Sequence, residues 1–302
     1  MKRIVFSLFQ PATLALILIF WASAPASSIG NAWTITVATI GTLAMVQGLE
    51  FVNERNASWR LSAREFLTDL FYLILYYFEI SQNETKLADE PLASAKHALG
   101  ITTAWAMHLP FVAQVALTVF RLMHNSFLWW THAPHHHIAQ LNAAKGLVGN
   151  PVELFLVSLS VTAIFDLTQN TVFCALNIVT AVSAFAHANV RFDPPRWYAY
   201  KFTTVEAHSL HHAVAYNDTR CYYANSLILC DRMCGTFRAG RRNGGWSGRT
   251  RETIHPATVS VPASSATLRA NRMKIAGVRS GNRRVVCTKN FDSPVGVLSH
   301  YL

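Results

Sequence analysis

The chain has 302 residues, 51% of them hydrophobic and only 14% charged, where a soluble domain carries about 25% charged residues; long apolar runs account for the difference and exclude an ordinary water-soluble globule. The net charge of +10 is confined to one end, because residues 1–237 hold 14 basic and 14 acidic residues while residues 238–302 hold 12 basic residues against Glu252 and Asp292. Such a tail beside a membrane body has anionic lipid as its nearer partner, and no nucleic-acid partner is expected.

Met1-Lys2-Arg3 opens an apolar run from Ile4 to about Ala24. Ala22-Ser23-Ala24-Pro25-Ala26 resembles a signal-peptide cleavage site. The run has the length of a bilayer helix and further runs follow, so a retained first span is the better reading. A second span is expected from Trp33 to about Val52. Arg55, Arg60 and Arg64 then mark a cytoplasmic loop by the positive-inside rule. Glu65 to Ile80 reads as a span or an interfacial segment, and Gln82 to Lys96 as a polar loop. Ile101 to Phe120 is expected to be another span, interrupted by His108 and Pro110. Leu154 to Phe185 is longer than one span needs and is expected to fold as a helical hairpin, with Asp166 at its turn or facing the bundle interior. From Ala239 onward no helical or strand period survives, and a disordered tail is expected. The five cysteines form no CxxC pair, which points to reduced thiols and a cytoplasmic site.

Nine of the 13 histidines fall between His124 and His212. His132, His135 and His136 form an HxxHH pattern, and His208, His211 and His212 repeat it. On a helix, positions i, i+3 and i+4 share one face, so each triplet can aim three imidazoles at one point. Pro134 disturbs that helix in the first triplet. Three-histidine clusters also serve as pH sensors or basic patches, but a repeated pattern among long apolar runs favours metal. Imidazole suits iron, zinc and copper. A metallohydrolase is disfavoured, because no HExxH occurs and only Glu206 lies near a box.

The order of these motifs resembles the fatty acid hydroxylase/sterol desaturase superfamily. Arg121-Leu122-Met123-His124, Leu128-Trp129 and His132-Ala133-Pro134-His135-His136 stand for its first two boxes. His187-Ala188-Asn189 stands for its single histidine before an asparagine, and Glu206 through His212 for its last box. Cys230-Asp231-Arg232-Met233-Cys234-Gly235-Thr236-Phe237 resembles its closing signature. Trp59 and Arg64 through Asp69 resemble its upstream segment, so the likeness covers roughly residues 55–238.

That resemblance implies an all-α fold: a polytopic membrane helical bundle with a cytoplasmic, histidine-rich metal-binding cap and a disordered basic C-terminal tail. The expected divisions are 1–54 for N-terminal transmembrane helices, 55–238 for the family-like domain and 239–302 for the tail. It implies an oxidoreductase with two Fe ions, which hydroxylates or desaturates a lipid using O₂ and electrons from a separate donor protein. His124, His132, His135, His136, His187, His208, His211 and His212 are the implied metal ligands. Asp69, Glu206 and Asp231 are expected to orient imidazole N–H groups, and Asn189 to hydrogen-bond a ligand or a bound water.

The sequence departs from the family pattern at three places. Phe120 stands where the first histidine is expected, Asn150 where a histidine is common, and Cys230 where the closing signature has tryptophan. Phenylalanine cannot ligate a metal. His108 would lie about 18 Å back along a helix at about 1.5 Å per residue, so His137 or water is the better stand-in. The alternative this raises is a degenerate homologue that binds lipid or one metal without turnover.

Overall fold

The computed structural model describes residues 2–121, 135, 138, 140–158, 165–212 and 226–237. The chain divides into two units, Met1–Thr250 and Arg251–Leu302, and every described residue belongs to the first. The described part is helical, with no strand; one isolated antiparallel bridge joins Glu54 to Val190. The tail expected from Ala239 onward lies outside the described residues.

Among the described residues, three helices are long and apolar enough to cross a membrane: Ile4–Ser23, Trp33–Val52 and Gln169–His187. The first lies in α1 (Lys2–Ser23) and the second in α2 (Ala32–Val52), matching the two N-terminal runs. The Asn31 side chain starts α2 by accepting the Trp33 N–H at 2.9 Å.

Gln169–His187 is the hub on which the other two spans pack. Its polar residues close on theirs: Trp21 Nε1 donates to Asn177 Oδ1 at 3.3 Å, and Asn177 Nδ2 donates to Thr42 Oγ1 at 3.0 Å. In an apolar bundle an unmade hydrogen bond is costly, so this relay fixes the register of three helices. At the other end, Phe9 meets Phe185 edge-on at 6.3 Å and Phe6 lies 6.2 Å from Phe192. The start of α1, the end of α2 and the end of the hub helix therefore gather at one end of the bundle. There the bridge segments pair closely: Arg55 N–H donates to Asn189 O at 3.0 Å and Arg191 N–H to Asn53 O at 3.0 Å.

Between α2 and the hub, the chain is more helical than its polarity suggests. Helix α3 (Ala63–Ile74) is capped by Ser62 Oγ on the Glu65 N–H at 3.3 Å. Its winding then opens into π-helix over Leu75–Ile80, returns to α over Ser81–Glu84, opens again over Thr85–Asp89 and continues as α4 (Glu90–Ala98). The loop expected over Gln82–Lys96 is thus corrected to helix. Polar residues there end a hydropathic run without ending a helix.

The span expected over Ile101–Phe120 is also corrected. Ala104–His108 is a 3₁₀ turn, so the stretch is not one continuous helix, and α5 is described over Phe111–Arg121. Pro110 removes a backbone donor at their junction. Helix α6 (Pro151–Ser158) and the hub helix α7 (Gln169–His187) are separated by residues of which 165–168 are described and non-helical. Asp166 sits in that break, bound to Lys96 Nζ at 2.7 Å and to the Thr103 hydroxyl at 3.1 Å. Its charge is neutralised at the turn, so no charge sits mid-span.

Candidate metal centre

Four imidazoles meet where the hub helix ends. His135, His187, His208 and His212 are all buried, and their ligand nitrogens lie within 4.8 Å of one another. His187 is the last residue of α7. His208 is in α9 (Val205–His211), a short helix reached through α8 (Arg196–Lys201), and His212 directly follows it. The i, i+4 spacing of His208 and His212 puts their Nε2 atoms 3.1 Å apart. His208 Nε2 lies 2.9 Å from His187 Nε2, which lies 3.2 Å from His135 Nε2.

These distances suit a cation better than they suit one another. His135 Nδ1 donates to Val148 O at 2.7 Å, and His187 Nδ1 donates to Ser183 O at 2.8 Å. A carbonyl oxygen only accepts, so each Nδ1 carries the proton and each Nε2 presents a lone pair. Two lone pairs facing each other at 3.2 Å repel. A shared proton is disfavoured, because burial lowers the pKa of His135 and, with neighbouring imidazoles, lowers that of His208 well below the usual value. A metal ion resolves the conflict: nitrogens at about 2.0–2.1 Å from one ion lie about 3.0–3.4 Å apart in adjacent positions. Carbonyls that fix the tautomer of ligating histidines are the expected outer support.

The lowered pKa has a signed consequence. Neutral His208 stabilises the fold above the unfolded-state pKa of 6.5, and that contribution is lost as pH falls through the folded value. We expect the metal-free protein to unfold at progressively lower temperature between about pH 7 and pH 5. Thermal scans of wild type and His208→Asn will check this, with a weaker dependence in the variant.

The backbone approaches the cluster closely at Gly146, in the 3₁₀ turn Ala143–Leu147. A Cβ there would overlap Ser183 Oγ and stand 3.4 Å from His187 Nδ1. Gly146→Ala should weaken metal binding by about tenfold or more, because it crowds both the His187 ring and the side chain of Ser183, the residue whose carbonyl orients that ring. Titration of metal into Gly146→Ala and Gly146→Ala/Ser183→Ala will check this, with recovery in the double variant.

Of the eight histidines expected as ligands, His135, His187, His208 and His212 are brought together. His211 is fully buried beside them, its ring 5.6 Å from that of His208. His124, His132 and His136 lie outside the described residues, as does the stand-in His137. The backbone of Phe120 belongs to the last turn of α5; its side chain is outside the description. His108 is remote: Gln114 Nε2 holds Met107 O, and Gln114 Oε1 accepts from Thr171 in the first turn of α7.

The four expected supporting residues make specific contacts of other kinds. Asp69 is buried and accepts from Lys145 Nζ at 2.6 Å and Asn142 Nδ2 at 2.8 Å. Asn189 clamps the bridge segment, its Nδ2 donating to Asn56 O at 2.9 Å and its Oδ1 accepting the Asn56 N–H at 2.8 Å. Glu206 pairs with Arg55 at 2.6 Å. Asp231 closes the end of α10 (Ile228–Cys234) by accepting from the Thr236 hydroxyl at 2.6 Å, around Gly235 at φ +73°. Arg232 stacks on Phe237 and Tyr200 instead of joining a carboxylate among the described residues.

Three further residues escaped the sequence reading. Lys145 is buried between Asp69 and Glu65. Glu50, in the last turns of α2, accepts the N–H groups of Ala143 at 2.8 Å and Asn189 at 3.0 Å, tying both site segments to a span. Glu153 has a carboxylate oxygen 3.2 Å from where a Cβ on Gly149 would stand; burial raises its pKa to about 7, opposed by His135. Each is a lone charge at the margin of an apolar stretch, which is the signal that could have found it.

No solved structure matches the chain. A model of the family described as Fatty acid hydroxylase matches residues 105–236, a segment that contains all five described histidines of the cluster. Over that segment the chain is similar to the fatty acid hydroxylase family, the likeness that its histidine motifs carry.

Proposed function

We propose that this protein is a multi-pass membrane oxidoreductase that hydroxylates or desaturates a lipid at a centre of two histidine-bound iron ions. The single observation that carries this reading is the facing of tautomer-fixed His135 and His187 nitrogens, with those of His208 and His212, in a buried pocket at the end of an apolar helix. His135, His187, His208 and His212 would hold one ion, and His124, His132, His136 and His211 would complete the shell. Bound iron would supply the redox chemistry by which O₂ attacks an unactivated C–H bond. One oxygen atom enters that bond, or a hydrogen pair leaves the chain, and the remaining oxygen becomes water with electrons from a separate donor protein. The chain's own part is to hold its imidazoles neutral and unprotonated at Nε2, to exclude bulk water by burial, and to fix the rings through Val148 O and Ser183 O. Asp69, Asn189, Glu206 and Asp231 would act one step out, holding the segments that carry the rings.

The same reading places the centre on the cytoplasmic side. Lys2, Arg3, Arg55, Arg60 and Arg64 all lie at the histidine end of the bundle, whereas the 24–31 connection at the other end has no lysine or arginine. Basic residues near span ends mark the cytoplasmic face. A lipid chain reaches such a centre from the bilayer, and a donor protein reaches it from the cytosol.

The test is an assay of the full chain in lipid nanodiscs, loaded with ferrous iron and given O₂ and an electron donor. Mass spectrometry of the lipid extract should show gain of an oxygen or loss of a hydrogen pair, dependent on iron, O₂ and reductant. Phe120→His should raise the yield if that position limits iron loading. Full iron occupancy with no product in either protein would defeat the reading and identify a binding protein without turnover.

A further inference from the structure

Helix α3 has its polarity inside out. Its exposed face is apolar: Phe66 is 52% exposed, Leu67 63%, Phe71 60% and Ile74 48%, with Phe78 at 47% on the π-wound continuation. Its carboxylates Glu65 and Asp69 point inward to Lys145. These exposed positions recur at helical spacing, so they form one stripe. In water such a stripe would be a liability; against acyl chains it is the ordinary outer surface of a membrane protein.

The orientation of the stripe follows from its contacts. Asn142 and Lys145 hold the start of α3, and Ala143 between them is bound to Glu50 near the end of α2. At the far end, Phe78 meets Trp33, near the start of α2, with ring centroids 6.0 Å apart. The segment therefore runs alongside α2 in the opposite direction, from the histidine end toward the other. Arg64 to Phe78 covers about 21 Å at about 1.5 Å per residue, more than the roughly 15 Å depth of one leaflet's hydrocarbon.

At the head of the stripe is a shallow, open surface groove lined by Ala63, Arg64, Leu67, Thr68 and Phe71, all on α3. Arg64 is its only charge. The other two arginines of the loop are taken, Arg55 by Glu206 and Arg60 by Glu54. Among the described residues the Arg64 guanidinium makes no ion pair, because its neighbour Glu65 is turned to Lys145.

We propose that this groove binds an anionic phospholipid, with its phosphate on Arg64 and one acyl chain lying along Leu67, Phe71 and Ile74. This rests on the membrane reading above. A guanidinium matches phosphate with paired donors, and it sits where the helix enters the headgroup layer. A zwitterionic lipid brings its own cation to the same phosphate and gains less from Arg64. The bound lipid would lie back-to-back with Lys145 and the histidine centre, on a helix whose inner face helps to hold them.

The experiment reconstitutes the full chain into nanodiscs of equal phosphatidylglycerol and phosphatidylcholine. Native mass spectrometry then counts the lipids each protein retains on mild release. Wild type should retain phosphatidylglycerol preferentially. Arg64→Gln should lower the ratio of the two lipids about fivefold, the worth of one basic residue near an anionic surface, while Arg64→Lys keeps part of it. An unchanged ratio in Arg64→Gln would assign the preference to the tail and overturn the proposal. So would equal retention of both lipids by wild type, or a lipid-free dimer that covers the stripe. Release of the chain from vesicles by alkaline carbonate would overturn the membrane reading, whereas insertion without selectivity overturns the groove alone. Circular dichroism of each variant guards against misfolding as the cause.

Discussion

Replacing His187 or His208 by alanine is expected to strip the protein of tightly bound metal. Loss of a supporting contact around a ligating histidine costs about 10–100-fold in affinity, and loss of the ligand itself should exceed that. The two residues are the middle members of the chain of Nε2 contacts, each touching two other rings. Removing either breaks that chain of contacts in the middle and leaves three of the four nitrogens, which weakens the hold on the ion. His187→Asn and His208→Asn, which keep a polar group of similar reach, separate lost ligation from a simple cavity. Metal analysis after dialysis should show the loss of at least one ion per chain in all four variants, with oxidised lipid falling to background. Wild-type metal content in either alanine variant would mean that metal is held elsewhere.

The second large effect is expected at Lys145. Its side chain is 2% exposed and is bound to Asp69, 6% exposed, and to Glu65. A buried ion pair contributes little net stability when intact, but removal of one partner leaves an uncompensated charge at a cost of about 3–5 kcal/mol. Lys145→Met should destabilise the protein by that amount and also lower metal affinity, since Gly146 follows directly against His187. Adding Asp69→Asn and Glu65→Gln removes the stranded charges and should recover most of the loss. Denaturant unfolding of the single, double and triple variants measures the coupling. A mild effect of Lys145→Met alone would show that water reaches the cluster.

The parts of this fold that were legible in the sequence are those governed by continuous apolar runs. Spans α1 and α2 need only length and hydropathy, and both stand within a residue or so of the expected limits. The segment 63–98 was not legible as one helix. Its acids Glu65 and Asp69 are neutralised by Lys145, a residue far away in sequence, and its π-turns shift the apolar face. The stretch 101–121 misled for the opposite reason. It is apolar enough for a span, yet Pro110 and a 3₁₀ turn break it before α5 begins.

The site was legible as a set of residue types but not as a geometry. The HxxHH spacing announces imidazoles that can share a face, and His208 with His212 behaves that way. It says nothing of Val148 O or Ser183 O, the backbone acceptors that decide which nitrogen of His135 and His187 is free. Those contacts depend on where loops close, as do the partners of Asp69, Asn189 and Glu206. A carboxylate near a histidine box in sequence can serve an arginine in space, as Glu206 does.

The most direct measurement is X-ray absorption at the metal edge of the iron-loaded protein in nanodiscs. The account predicts nitrogen neighbours at about 2.0–2.2 Å, as expected for metal–imidazole bonds, together with the outer-ring scattering of several imidazoles. An oxygen-only shell without imidazole scattering would contradict it.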